Sequence, residues 1–84
     1  LNLSDTNVEA KGLRNLVQAL PSTEVHTIYL SGNKIGDEGI EILCQYLPNT
    51  KIRTIDLSYN KIGINGVKNL AQVLSNTHIH TVDL

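Results

Sequence analysis

The amino-acid sequence predicts an α/β fold, a right-handed solenoid with parallel strands on the concave face and helices on the convex face. Three observations carry that expectation. The chain repeats itself: Ile28–Thr54 and Ile55–Thr81 agree at 15 of 27 positions, and Leu1–Thr27 agrees with Ile28–Thr54 at 9 of 27. A fixed period of this length marks stacked supersecondary units. Within each unit the apolar spacing then changes from two to three and four, as a strand gives way to a helix. Finally, the order strand, turn, helix, return makes neighbouring strands parallel, and such crossovers are right-handed in nearly all cases.

Each unit opens on two apolar residues spaced by two, which face the same way in an extended chain. These predict strands at Leu1–Leu3, Ile28–Leu30, Ile55–Leu57 and Val82–Leu84. Val25, Ile52 and Ile79 mark the approach to the later strands. A turn carrying Asn33 or Asn60 follows, then an apolar plug at Val8, Ile35 or Ile62. Apolar residues next recur as Leu13, Leu16, Val17, Leu20, as Ile40, Leu43, Cys44, Leu47, and as Val67, Leu70, Ala71, Leu74. That spacing is one face of an amphipathic helix, and it predicts helices over Glu9–Leu20, Asp37–Leu47 and Ile64–Leu74. Gly12, Gly39 and Gly66 fall near the helix starts, where glycine costs up to about 1 kcal/mol of propensity. A packing reason is expected, with each helix pressed close to its strand. The helices stop near Pro21, Pro48 and Ser75, ahead of polar Ser/Asn-Thr pairs suited to a return turn. Residues 1–84 thus read as one array of units 1–27, 28–54 and 55–81 with a last strand at 82–84. Neither end carries the polar capping unit that solenoids normally use. A piece of a longer array is expected, or end-to-end self-association of uncapped units.

Composition narrows the function. A formal net charge of −1 supplies no field to draw the chain to nucleic acid or an anionic membrane. No apolar run reaches the roughly 18 residues that span a bilayer. No secretory leader is recognisable, and a lone cysteine, Cys44, falls on a helical apolar stripe as a small buried hydrophobe. A reducing, cytoplasmic setting is expected. Metal-ligand spacings, phosphate loops and nucleophile elbows are all missing, so the expectation is no cofactor and no catalysis. His78 and His80 could share a strand face, but no third ligand recurs beside them. Asn2-Leu3-Ser4 fits a glycosylation acceptor, yet it lies on a strand and is discounted.

The period also sets residues side by side, about 4.8 Å apart on neighbouring strands. Thr27, Thr54 and Thr81 form one column, Ser4, Ser31 and Ser58 another, and both read as structural hydroxyls. On the helices Arg14, Glu41 and Lys68 alternate in sign as a solvated surface row. The column Asn2, Tyr29, Asp56, Asp83 differs, because it sets two carboxylates opposite each other on the concave face. Like charges so placed are unfavourable. Tyr59 lies just beyond the strand and can flank them. Tyr29, Asp56, Tyr59 and Asp83 are therefore the candidate partner-binding residues, suited to a basic side chain from another protein.

The pattern Val25-x-x-Ile28-x-Leu30-x-x-Asn33-x-Ile35-x-x-x-Gly39-x-x-x-Leu43-x-x-x-Leu47 resembles the ribonuclease-inhibitor-like class of leucine-rich repeats. It recurs as Ile52, Ile55, Leu57, Asn60, Ile62, Gly66, Leu70 and Leu74. The resemblance implies an asparagine ladder bonding backbone between turns, through Asn33 and Asn60, which Thr6 continues only in part. It also implies a protein-protein interaction module, since the family serves mostly intracellular protein recognition, as in NOD-like receptors, ribonuclease inhibitors and bacterial effectors. The alternative it implies is a regulatory segment of a GTPase regulator, receptor or bacterial effector. A GTPase-activating role needs a positioned arginine, and the one strand-edge arginine, Arg53 between His26 and His80, has nothing to arm it.

Overall fold

The computed structural model describes all of residues 1–84. In chain order it contains α1 (Glu9–Ala19), β1 (Thr27–Tyr29), α2 (Gly36–Tyr46), β2 (Thr54–Asp56), α3 (Ile64–Leu74) and β3 (Thr81–Asp83). The strands form one open parallel sheet in the order β1-β2-β3, with Thr27, Thr54 and Thr81 in register. Helix α2 packs between α1 and α3. Each strand and the helix after it belong to one 27-residue unit, and the units stack side by side.

The strands begin and end one residue earlier than the apolar spacing predicts. Pairing starts upstream because the His26 carbonyl already accepts the Arg53 and Thr54 amides, at 2.7 and 3.1 Å. The predicted first strand, Leu1–Leu3, shrinks to a single bridge between Asn2 and Tyr29. It has a neighbour on one side only, although Leu3 N–H still donates to the Tyr29 carbonyl at 2.8 Å. Helices α1 and α2 each give up their last predicted residue to a one-turn 3-10 helix, Leu20–Ser22 and Leu47–Asn49. Pro21 and Pro48 stand in its first turn, where a fixed φ suits the tighter winding. Ser75 replaces the proline in the third unit, and no 3-10 helix follows α3.

The core lies between sheet and helices. Ile28, Leu30, Ile55 and Leu57 from the strands meet Leu13, Val17, Ile40, Leu43, Leu47 and Leu70 from the helices, all essentially inaccessible to water. The expected packing role of the helical glycines is found, though it is against the plug residue, joined at Gly66 by Asp37, rather than against the strand. A Cβ on Gly39 would lie 2.2 Å from Cγ2 of Ile35 and 3.5 Å from Cδ2 of Leu13. On Gly66 it would meet Cγ2 of Ile62 at 2.7 Å and Oδ1 of Asp37 at 2.5 Å. Bare backbone lets the helix settle over its own plug.

Two buried asparagines join the units. Asn60 Oδ1 accepts the Asn33 amide at 2.8 Å and the Ile35 amide at 3.2 Å, and its Nδ2 donates to the Leu30 and Leu57 carbonyls at 2.8 and 2.9 Å. Asn33 does the same one unit earlier, accepting the Thr6 and Val8 amides and donating to the Leu3 and Leu30 carbonyls. The Thr6 hydroxyl donates to the Leu3 carbonyl of its own unit at 2.6 Å and lies 3.4 Å from Asn33 Oδ1, but reaches no backbone group of another unit. The threonines of the Ser/Asn-Thr pairs form a column that closes the return turns. Thr23, Thr50 and Thr77 donate to the Leu20, Leu47 and Leu74 carbonyls at 2.8–2.9 Å and accept the Val25, Ile52 and Ile79 amides.

Replacing Asn60 strips partners from backbone groups that water cannot reach. Asn60→Ala is expected to lose about 1–3 kcal/mol, whereas Asn76→Ala, at an exposed loop position, stays near wild type. Denaturant midpoints of the two variants check this, and equal midpoints would remove the ladder from the account.

Candidate functional site

The outward side of the sheet carries the variable columns. Register pairs Tyr29 with Asp56 and Asp56 with Asp83, so three of the four predicted residues stand in one row. Tyr29 is 42% exposed, Asp83 is exposed and Asp56 is half-buried. Asp56 does more than present a charge: its Oδ1 accepts the Ser58 amide at 3.0 Å and the Ser58 hydroxyl at 2.7 Å. The same local turn recurs at Asn2, whose Oδ1 accepts the Ser4 amide at 3.0 Å. Column position therefore has a structural duty, ending the strand, as well as an outward face. One Asp56 oxygen serves the turn, and the other accepts no hydrogen bond within the chain. Beside this row the Ser58 and Ser31 hydroxyls lie 3.1 Å apart.

Tyr59 is placed differently. It sits in the turn after β2 and borders a groove of about 290 Å³ with Leu57, Ile62, Val67 and Leu84. Its backbone is left-handed, with φ 57°, where the preceding unit has Gly32 at φ 68° and the first has Asp5 at φ 56°. A bulky side chain in that region costs about 1–2 kcal/mol against glycine. With 88% of its surface exposed, Tyr59 recovers little of that within the chain. No sequence period betrays this; it takes the turn's dihedral angles.

A second set of polar residues gathers at the other end of the strands. Glu24, His26, Lys51, Arg53 and His78 line a cleft of about 340 Å³ that has no hydrophobic wall. Lys51 and Glu24 form an ion pair, whose hydrogen bond and charge hold the Glu24 carboxyl below the usual carboxylate range. His80 Nδ1 lies 3.1 Å from the Thr81 hydroxyl. No three His, Cys, Asp or Glu side chains gather to hold a metal ion. Cys44 is half-buried rather than buried, at the edge of a groove with Glu41, Gln45, Asn69, Gln72 and Val73. Burial raises its thiol pKa, which lowers the thiolate fraction that would make it reactive. No helix is long and apolar enough to cross a membrane.

Short parallel strands backed by helices, joined by buried asparagines at one repeating position, define a leucine-rich repeat solenoid. The Leucine Rich repeat family model matches residues 22–44 and 49–71, more than half of the 84-residue chain, and the protein belongs to this family. Comparison with curated proteins returns no match. Leucine-rich repeats are generally protein-interaction modules.

Glycine at position 59 relieves the left-handed strain and removes no buried contact. Tyr59→Gly is expected to raise stability by up to about 1 kcal/mol, part of the relief being offset by the freer unfolded chain. Chemical denaturation checks it. A destabilised variant would mean that Tyr59 packs into the fold.

Proposed function

We propose that the protein is an interaction module of the helical, ribonuclease-inhibitor-like kind, and that a partner protein lays a basic side chain against Asp56 and Asp83. The observation that carries this reading is Tyr59. A bulky aromatic residue is kept exposed in a left-handed turn where the preceding unit has glycine, three residues from the acidic row. Folding recovers little from its exposed ring, which supports a use in what it touches when bound, and tyrosine is a favoured contact residue. Asp56 and Asp83 are adjacent across the β2–β3 pair, where their mutual repulsion is relieved by an inserted lysine or arginine. Tyr29, beside Asp56 in the row, offers a ring for the stem or guanidinium of that side chain. The β1–β2 pairing holds Tyr29 and Asp56 in place before binding, which reduces the ordering cost at those two residues. The weak reactivity expected of Cys44 fits a reducing cytoplasmic setting.

The test is clean because asparagine already serves at this column. Asn2 accepts the Ser4 amide as Asp56 accepts that of Ser58, so Asp56→Asn keeps the turn and removes only the charge. The Asp56→Asn/Asp83→Asn double variant is expected to bind the natural partner about tenfold more weakly, with a flatter salt dependence. Titration calorimetry at two ionic strengths checks both. Unchanged affinity would reduce the acidic row to an ordinary solvated surface.

A further inference from the structure

The cleft at the strand entry is absorbed neither by the fold nor by the acidic row. His26, Arg53 and His80 form a column of their own, fixed by backbone bonds: Arg53 N–H donates to the His26 carbonyl at 2.7 Å and His80 N–H to the Arg53 carbonyl at 3.0 Å. Lys51 and His78 stand one column upstream with Glu24. His26 and His78 thus line the cleft with Arg53, and His80 is tied to Arg53 through its backbone. The only ion pair in the structure is Lys51 with Glu24, so the Arg53 guanidinium has no carboxylate. A planar guanidinium offers two parallel N–H groups, which match a carboxylate, and the imidazoles on either side add donors.

We propose that this rim binds the carboxylates of an acidic segment of the partner protein. The inference rests on the reading above that the sheet face receives a protein, and it adds a direction to it. Arg53 and Asp56 are three residues apart on one strand, about 10 Å in extended chain. The face therefore presents positive charge at the strand entry and negative charge at the strand exit. It selects a partner whose acidic and basic residues are spaced and ordered to match, and sets a like-charge penalty on the reversed orientation. Within the cleft Lys51 already engages a carboxylate, that of Glu24. That internal carboxylate competes with the guest for Lys51.

The probe is fluorescein-labelled hexaglutamate, titrated with the full chain at low salt and followed by anisotropy. Arg53→Gln is expected to weaken binding about threefold to fivefold, and Glu24→Gln, which frees Lys51, to tighten it by a similar factor. Both residues are exposed, and circular dichroism verifies that the variants stay folded. Amide NMR shifts induced by the peptide should centre on His26, Arg53 and His80. The Asp56→Asn/Asp83→Asn variant should bind hexaglutamate no more weakly than wild type, so failure of the acidic-row reading and failure of the rim proposal register separately. Unchanged affinity in Arg53→Gln, weaker binding in Glu24→Gln, or tighter binding of a hexathymidylate of comparable charge would each overturn the proposal.

Discussion

Two side-chain amides, Asn33 and Asn60, hold the turns of neighbouring units together, and most of the remaining order follows from where they sit. Each is buried, and each uses its oxygen and its nitrogen on backbone groups of the unit before it and of its own. Turn backbone cannot enter a core unless its polar groups are met. An asparagine at this position supplies an acceptor and two donors in one rigid plane, which a hydrophobic residue cannot. Once the turn can be buried, the strand before it and the helix after it are brought within reach of the next unit. Plug residues Ile35 and Ile62 then fill the space beneath the helices, and glycine is needed where the helix crosses them.

Much of this is legible in the sequence because a repeat restates each instruction. Helix α3 falls on the predicted residues, and α1 and α2 end one residue short of prediction because proline draws the last turn into a tighter helix. Strand limits move by one residue, since two apolar side chains mark which face is buried but not where hydrogen bonding starts. Thr23, Thr50 and Thr77 recur at the full period and are readable as a column. Their double role, closing one turn while receiving an amide two residues on, depends on dihedral angles that composition does not contain.

The candidate site is legible only in part, and for a physical reason. Register is periodic, so Tyr29, Asp56 and Asp83 can be aligned without a structure. Side-chain engagement is not periodic. Asp56 is tied to Ser58, whereas the same column holds a tyrosine in the unit before. Tyr59 occupies a left-handed residue and turns toward the groove of its own unit, a placement set by the local backbone. The cationic rim around Arg53 is likewise assembled from three successive units, none of which carries the feature alone.

The way the units are joined also sets how binding and order exchange free energy. Every backbone bond between units links residues about one period apart, so each unit is held chiefly by the next. The second unit has neighbours on both sides and supplies much of the buried core, while β3 is an edge strand with exposed Thr81 and Asp83. In such a one-dimensional stack, opening is easiest at the ends and hardest in the middle. Asp56 lies on β2, which has a strand on each side, and Arg53 just precedes it, whereas Asp83 lies on β3 and His80 just precedes that strand. A guest bridging those positions fastens the edge to the centre, so part of its binding free energy is spent on suppressing the fraying of β3. The thermodynamic linkage is reciprocal: a change that tightens the third unit raises affinity without touching the guest, and occupancy slows amide exchange at the edge.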